Sequence, residues 1–183
     1  MRSFKRIGYY IYSLIEMLLN FKNWLALWSI FLERRLPKPR VVSLRKPPVK
    51  IKVRGRMDVW SVKETFLDEF YTRHGFPIND GWKILDIGAG IGDFSLYAAY
   101  SRPNALVYAI EPFAESYQIL IQNITLNALD NVLAYPQALW RESGFLALDL
   151  SVGEPLQIIS RGIDEKLGMN GMQSVDASSL EDF

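Results

Sequence analysis

The sequence contains no cysteine and a single histidine, His74. The first absence excludes a disulfide framework, a thiolate metal site and a cysteine nucleophile. The second excludes a multi-histidine metal centre, and any Ser-His-Asp hydrolase would have to rest on His74 alone. No metal-ligating set is therefore expected. Long uncharged runs are also missing. The most apolar segment, residues 1–40, is interrupted by Glu16, Asn20, Lys22 and Asn23, which disfavours a simple transmembrane helix. No small-residue cleavage site follows a short apolar core, which disfavours a cleaved signal peptide. What is present is a chain of 183 residues, 49% apolar and 22% charged, the size of one domain plus an appendage. A cytoplasmic location is compatible with the lack of cysteine.

The net charge of +1 hides an asymmetry. Residues 1–56 hold 14 Lys/Arg against Glu16 and Glu33, whereas residues 57–183 hold 7 against 18 acids. A front of this sign either meets an anionic partner or docks on the acidic body of its own chain. Residues 1–40 form a basic, aromatic extension that reads as two amphipathic helices, roughly 4–20 and 22–34. Phe21, Trp24, Trp28 and Phe31 with basic borders suit peripheral membrane contact through residues 1–34. The reading we favour is that these apolar faces pack on the domain body.

Pro37 and Pro39 end the second helix, and Pro47-Pro48 mark a further break. "RVVSLRK" and "VKIKVR" alternate apolar and charged side chains, the period of half-buried strands. The basic run "KPRVVSLRKPPVKIKVRGR" has no aromatics between its charges, so it reads as a solvated strand face and no nucleic-acid partner is expected. Asp58 is placed to cap a helix over "VWSVKETFLDEFYTRHG", with Val59, Val62, Phe66 and Phe70 on one face and Gly75 as its stop.

Lys83–Ile87 is a buried parallel strand by pattern, and Asp93–Tyr100 is a helix. The turn between them carries Gly88, Gly90 and Gly92, with Ala89 inside it. Strand, glycine turn and helix open a βαβ unit, whose next strand is "ALVYAI" (105–110), ending at Glu111. Ligands sit at the carboxyl ends of such strands. A dinucleotide fold wants G-x-G-x-x-G with a pyrophosphate on the helix N-terminus. Here Asp93 takes the place of the third glycine of that pattern and would repel the pyrophosphate. Together with Asp86 it favours a ligand with a cationic end. S-adenosylmethionine, which carries an ammonium and a sulfonium and no phosphate, meets that condition. Glu111, 23 residues after Gly88, is placed to accept hydrogen bonds from ribose hydroxyls, or else to cap the helix that follows.

The pieces "DVWSVKETFLDEFY", "ILDIGAGIGDFSLYAA", "VYAIEPFAESYQILIQNITLNALDNV" and "QALW" resemble the FkbM family of S-adenosylmethionine-dependent methyltransferases over roughly residues 40–183. The resemblance implies a Rossmann-like class I methyltransferase fold, an α/β architecture with a doubly wound, mostly parallel sheet, over 41–183. It also implies O-methylation of a hydroxyl on a sugar or secondary-metabolite-like acceptor. By position, Asp86, Gly88, Gly90 and Gly92 would line the methionine end of the cofactor, with Ala89 in the same loop. Glu111 would hold the ribose, Phe113 would flank the adenine, and Gln137 and Ala138 would border the adenine edge.

Beyond Trp140, "GFLALDL" and "PLQIIS" read as a surface hairpin, "RGIDEKLGMNGM" as a loop and "QSVDA" as a strand. "SSLEDF" reads as the start of a helix with a Ser178–Glu181 capping box. In the family such a helix leads to a fourth parallel strand with an acidic end, which has no counterpart here. The chain is thus expected to be an N-terminal part of the domain, truncated before that strand. The strand carrying Asp86 would then be an open edge, cofactor binding would be weak, and a complementing C-terminal half is a candidate partner. No catalytic base is assigned: His74, Glu64 and Asp93 are candidates, and Tyr71 reads as core. The alternative function is a non-catalytic fragment serving as a membrane-peripheral or partner-binding module.

Overall fold

The computed structural model describes residues 2–32, 38–149, 158–159 and 172–183. Pro37 and the glycine loop with Gly162, Gly168 and Gly171 lie outside the described residues.

Two helices begin the chain, α1 (Arg2–Asn20) and α2 (Trp24–Leu32). Positions spaced by four, Ser13, Met17 and Phe21, are buried, as are Leu27 and Ile30 of α2. The antiparallel strands β1 (Arg40–Ser43) and β2 (Lys50–Val53) follow, with Val42 opposite Ile51. The alternation read in the sequence is the observed burial: Val42, Ile51 and Val53 are inside. Residues on both sides of position 40 share one core, in which Met17, Phe21 and Ile30 meet Val42, Ile51 and Val59.

A two-stranded ribbon leaves two rows of backbone groups unpaired. Here asparagine side chains pair with them. On the β1 edge, Asn23 accepts from the Ser43 N–H at 2.8 Å and donates to the Val41 carbonyl at 2.7 Å. On the β2 edge, Asn123 accepts from the Lys52 N–H (2.6 Å) and donates to its carbonyl (3.1 Å). Asn127, one helical turn further on, does the same for Lys50 at 2.9 and 2.7 Å. An amide side chain has the donor and acceptor of a peptide group, so it substitutes for a neighbouring strand.

The third helix, α3 (Arg56–Phe66), is shorter than its sequence pattern predicts. Its N-cap is Gly55, with no side-chain cap; Asp58 lies in the first turn and accepts from the Arg54 backbone N–H at 2.6 Å. Val59, Val62 and Phe66 are buried as expected, but Phe70 is 56% exposed. The helix ends early because Lys63, on its inner side and fully buried, requires a counter-charge. The chain turns after Leu67 so that Asp68 comes back to within 2.6 Å of the Lys63 ammonium.

The central unit is a three-stranded parallel sheet in the order β3 (Lys83–Ile87), β4 (Leu106–Ile110), β5 (Val132–Tyr135). Its crossovers are α4 (Asp93–Ser101) and α5 (Ala114–Leu126). Both helices cover the face bearing Val107 and Ala109, through Ala98, Ala99 and Leu120. The opposite face carries Leu85, Tyr108 and Tyr135 by strand alternation, and the Phe183 ring packs on the two tyrosines at 6.2 and 5.0 Å. Among the described residues β3 pairs with β4 alone, and Leu85 and Ile87 are exposed.

The region after Trp140 departs from its sequence reading in two places. β7 (Gly144–Asp149) and β8 (Ile158–Ile159) pair antiparallel as expected, but the hairpin is not a surface feature. It belongs to a four-stranded sheet ordered β6 (Ala138–Leu139), β9 (Met172–Ser178), β7, β8, and Leu146 and Leu148 lie in its core. The "SSLEDF" segment forms a turn, not a helix. β9 runs through Ser178, so the cap shifts by one residue: Ser179 Oγ accepts from the Asp182 N–H at 3.1 Å.

Candidate functional site

β3, β4 and β5 are parallel, so their carboxyl ends lie together, and the loop leaving β3 folds over the end of β4. The N–H groups of Gly88 and Ala89 both donate to the Ile110 carbonyl, at 2.8 and 3.0 Å. Glu111, next in the chain, holds the loop from the other side. Its Oε2 accepts from the Gly90 N–H at 2.7 Å, and its Oε1 accepts from the Phe113 N–H at 2.8 Å. Glu111 is 7% exposed, so one carboxylate fixes both the glycine loop and the entry to α5.

The glycines serve two different purposes. A Cβ built on Gly88 or Gly90 would meet no atom within 4 Å, because both border open space where a ligand can approach bare backbone. Gly92 faces inward. It caps α4 at φ +88, in the left-handed region, and a Cβ there would press into Leu120 of α5. Its lack of a side chain is required by packing.

The cavity beside the loop has a volume of about 270 Å³ and is walled by Gly88–Ile91, Asp86, Asp93, Phe94, Tyr71 and residues of α3. Asp86 accepts from Ser95 Oγ at 2.6 Å. Burial pushes its carboxyl up to about 6; the Ser95 bond opposes that, and the nearby charges of Asp93 and Glu111 add to it. Asp93, 9% exposed, accepts from Thr65 Oγ1 at 2.5 Å and Ser61 Oγ at 3.0 Å. Burial raises its carboxyl too, and the two hydroxyls restrain the rise. Asp93 therefore joins α4 to α3 as well as facing the cavity. Arg54, also in the wall, is held by Asp58 at 3.0 Å and donates to Ser116 at 3.0 Å.

The structure brings Asp86, Gly88, Ala89 and Gly90 into one wall, with Glu111 bonded to it. Gly92 lies behind that wall. Phe113 and Ala138 pack with the second sheet, and Gln137 donates to Ser178 Oγ at 3.2 Å. None of these three lines the cavity. Of the candidate bases, only Asp93 is at the cavity. His74 accepts from Arg73 on the turn beyond α3, and Glu64 accepts from the Trp60 indole at 2.9 Å. Tyr71 is not core. It is 51% exposed, lines the cavity and packs on Phe94 with ring centroids 4.5 Å apart. Burial, then Asp93 and Asp86, hold its hydroxyl in the protonated form.

Sequence reasoning passed over Asn123. It is fully buried and donates to the Ile91 carbonyl at 2.8 Å, linking the glycine loop to β2. Its signal was the pair Asn123 and Asn127, two asparagines four residues apart at the end of α5.

A parallel sheet, a bare-backbone loop over its carboxyl end and a strand-end acid define a nucleotide-cofactor domain. The mouth sets the sign of the ligand's other end. Asp86 and Asp93 face it, and Arg54, the one cation in its wall among the described residues, is engaged by Asp58. A diphosphate is disfavoured there, while an ammonium or sulfonium fits. Residues 50–142 match the model of the TRM5/TYW2 methyltransferase domain, and the chain belongs to that family. S-adenosylmethionine is the cofactor of this class I methyltransferase domain.

"Methyltransferase sdnD" of Sordaria araneosa is 40% identical over 87 residues, 47% of this chain and 33% of that protein. "31-O-demethyl-FK506 methyltransferase FkbM" of Streptomyces tacrolimicus is 38% identical over 61 residues, 33% of this chain and 24% of that protein. The "tRNA(Phe) (4-demethylwyosine(37)-C(7)) aminocarboxypropyltransferase" of Methanocaldococcus jannaschii is 45% identical over 62 residues, 33% of this chain and 24% of that protein. The chain thus matches a third or less of the length of each of these relatives.

Proposed function

We propose that this chain carries the cofactor half of an S-adenosylmethionine-dependent methyltransferase whose acceptor is a hydroxyl on a sugar or secondary-metabolite-like compound. The observation that carries the reading is the acid pair of half-buried Asp86 and buried Asp93 facing bare backbone at Gly88 and Gly90. In this reading Asp86 receives the cationic amino-acid end, the open edge at Gly88 and Gly90 receives the methionine backbone, and Glu111, at the end of β4, accepts from the ribose hydroxyls. Phe113, Gln137 and Ala138 lie beyond the carboxyl ends of β4 and β5, on the side assigned to the adenine.

When bound, the cofactor supplies an electrophilic methyl group for in-line transfer. The chain's own residues bind, orient and keep water out, which for such a transfer supplies most of the rate. Met57, Tyr71 and Phe94 give the cavity an apolar side suited to a carbon-rich acceptor. The similarity to the FkbM methyltransferase favours that acceptor class. The free edge of β3, with Leu85 and Ile87 exposed, supports a complementing strand as partner.

The tRNA-acting relative gives specific support to a second acceptor, tRNA, and the two are separable in one experiment. Incubation of the chain with methyl-labelled S-adenosylmethionine and either hydroxylated small molecules or bulk tRNA, at chain concentrations high enough to offset weak cofactor binding and slow turnover without the complementing strand, should label the small-molecule fraction. Label in tRNA alone would replace the first acceptor with the second. Label in neither fraction, with cofactor bound, would favour the non-catalytic module.

A further inference from the structure

α3 is held from two opposite sides. Toward α4, Ser61 and Thr65 donate to the Asp93 carboxylate at 3.0 and 2.5 Å. Lys63 lies about 200° around the helix from each of them, on the far side. Its fully buried ammonium is 2.6 Å from Asp68 and 3.4 Å from Glu16 of α1, and it donates to the Tyr9 hydroxyl of α1 at 3.4 Å. The Tyr9 and Trp60 ring centroids are 4.8 and 5.7 Å from it. Burial, the largest influence, would lower the Lys63 pKa, but the bonds to and charges of Asp68 and Tyr9 outweigh it and the ammonium is held charged.

An apolar contact between α1 and α3 could slide with little loss. A buried charged cluster cannot, because a shift leaves an ammonium or a carboxylate unpaired away from water. The cluster therefore gives α3 one seat against α1, and with it fixes the two hydroxyls on the other side. Those hydroxyls bear on the cavity. Asp93 is 9% exposed, and the bonds from Thr65 and Ser61 favour its ionised form against burial. If α3 moved away, the carboxyl would take up a proton, and the cavity would lose one of the two acids that face it.

We propose that Lys63 is a positioning residue of the cofactor site: by seating α3 between α1 and α4 it keeps the Ser61 and Thr65 hydroxyls on Asp93, and so couples α1 to S-adenosylmethionine binding. This role rests on the reading that Asp86 and Asp93 meet the cationic end of the cofactor.

Equilibrium dialysis of the full chain against labelled S-adenosylmethionine, well below the melting temperature of every variant, reads the coupling. Lys63→Met should weaken binding about fivefold or more. Asp68→Asn, which keeps an oxygen on the ammonium, should weaken it less, and the same comparisons are made with it where Lys63→Met does not fold. Asn131→Ala is the control. It strips partners from the Ala99, Arg102, Pro103 and Ala105 carbonyls at the amino ends of β4 and β5, and should lower the melting temperature without changing affinity. In a Ser61→Ala/Thr65→Val background, Lys63→Met should lower the melting temperature with no further loss of affinity, because the link to Asp93 is already cut. Unchanged affinity in the Lys63 variant, an equal loss in Asn131→Ala, or the same fold-loss without the two hydroxyls would overturn the proposal and leave the cofactor assignment standing. Failure of the unmodified chain to bind S-adenosylmethionine would overturn both.

Discussion

Acidification should weaken cofactor binding through Asp86. Its carboxyl titrates at about 6 because it is buried beside Asp93 and Glu111. At pH 5 such a group is about nine-tenths neutral, and at pH 7 about one-tenth. If the ionised form receives the cofactor's ammonium, affinity for S-adenosylmethionine falls about tenfold between pH 7 and pH 5, or about 1.4 kcal/mol. Stability of the unliganded chain runs the other way. The folded state, with the raised pKa, binds more protons than the unfolded state, whose reference value is 3.8, so stability declines as pH rises from about 4 to 6. Asp93, also raised, acts with the same sign. Isothermal titration calorimetry across pH 5–7.5 reads the affinity, and thermal melts without ligand read the stability. Asp86→Asn should flatten the affinity profile near its acid limit. An affinity that is constant or stronger at pH 5, or an Asn variant that keeps the slope, would refute the electrostatic assignment.

Gly92→Ala places a Cβ into Leu120 at a left-handed position and should cost about 2–4 kcal/mol, read as a lower urea midpoint with an unchanged slope. Asn123→Ala removes partners from three backbone groups at Lys52 and Ile91 and should cost about 2–4 kcal/mol, with faster hydrogen exchange at the Lys52 amide. Lys63→Met leaves Asp68 and Glu16 facing each other without their cation. It should destabilise the chain by about 2–4 kcal/mol and increase protease cleavage between α1 and β1.

The local grammar of this chain was largely legible. β3 and β4 follow from short apolar runs bounded by turn residues, and the glycine loop follows from its spacing. What the sequence concealed depends on contacts distant along the chain. Periodicity carries α3 on to Gly75, but the demand of Lys63 for Asp68 stops it at Phe66. The three loop glycines look alike in one dimension, and only the approach of Leu120 separates Gly92 from Gly88 and Gly90. Tyr71 has the composition of a core residue. Its exposure and its ring contact with Phe94 follow from the turn that ends α3. At the site, Asp86 and Asp93 were readable as a pair of acids, whereas the hydroxyls of Ser61 and Thr65 that hold Asp93 come from a helix 28–32 residues earlier.

The central claim is that the loop at residues 86–93 takes a cofactor with a positively charged amino-acid end. Equilibrium dialysis of the full chain against labelled S-adenosylmethionine, with unlabelled S-adenosylhomocysteine or NAD as competitor, tests it most directly. Displacement by the homocysteine compound and none by NAD is the predicted result; displacement by NAD at comparable concentration would contradict it.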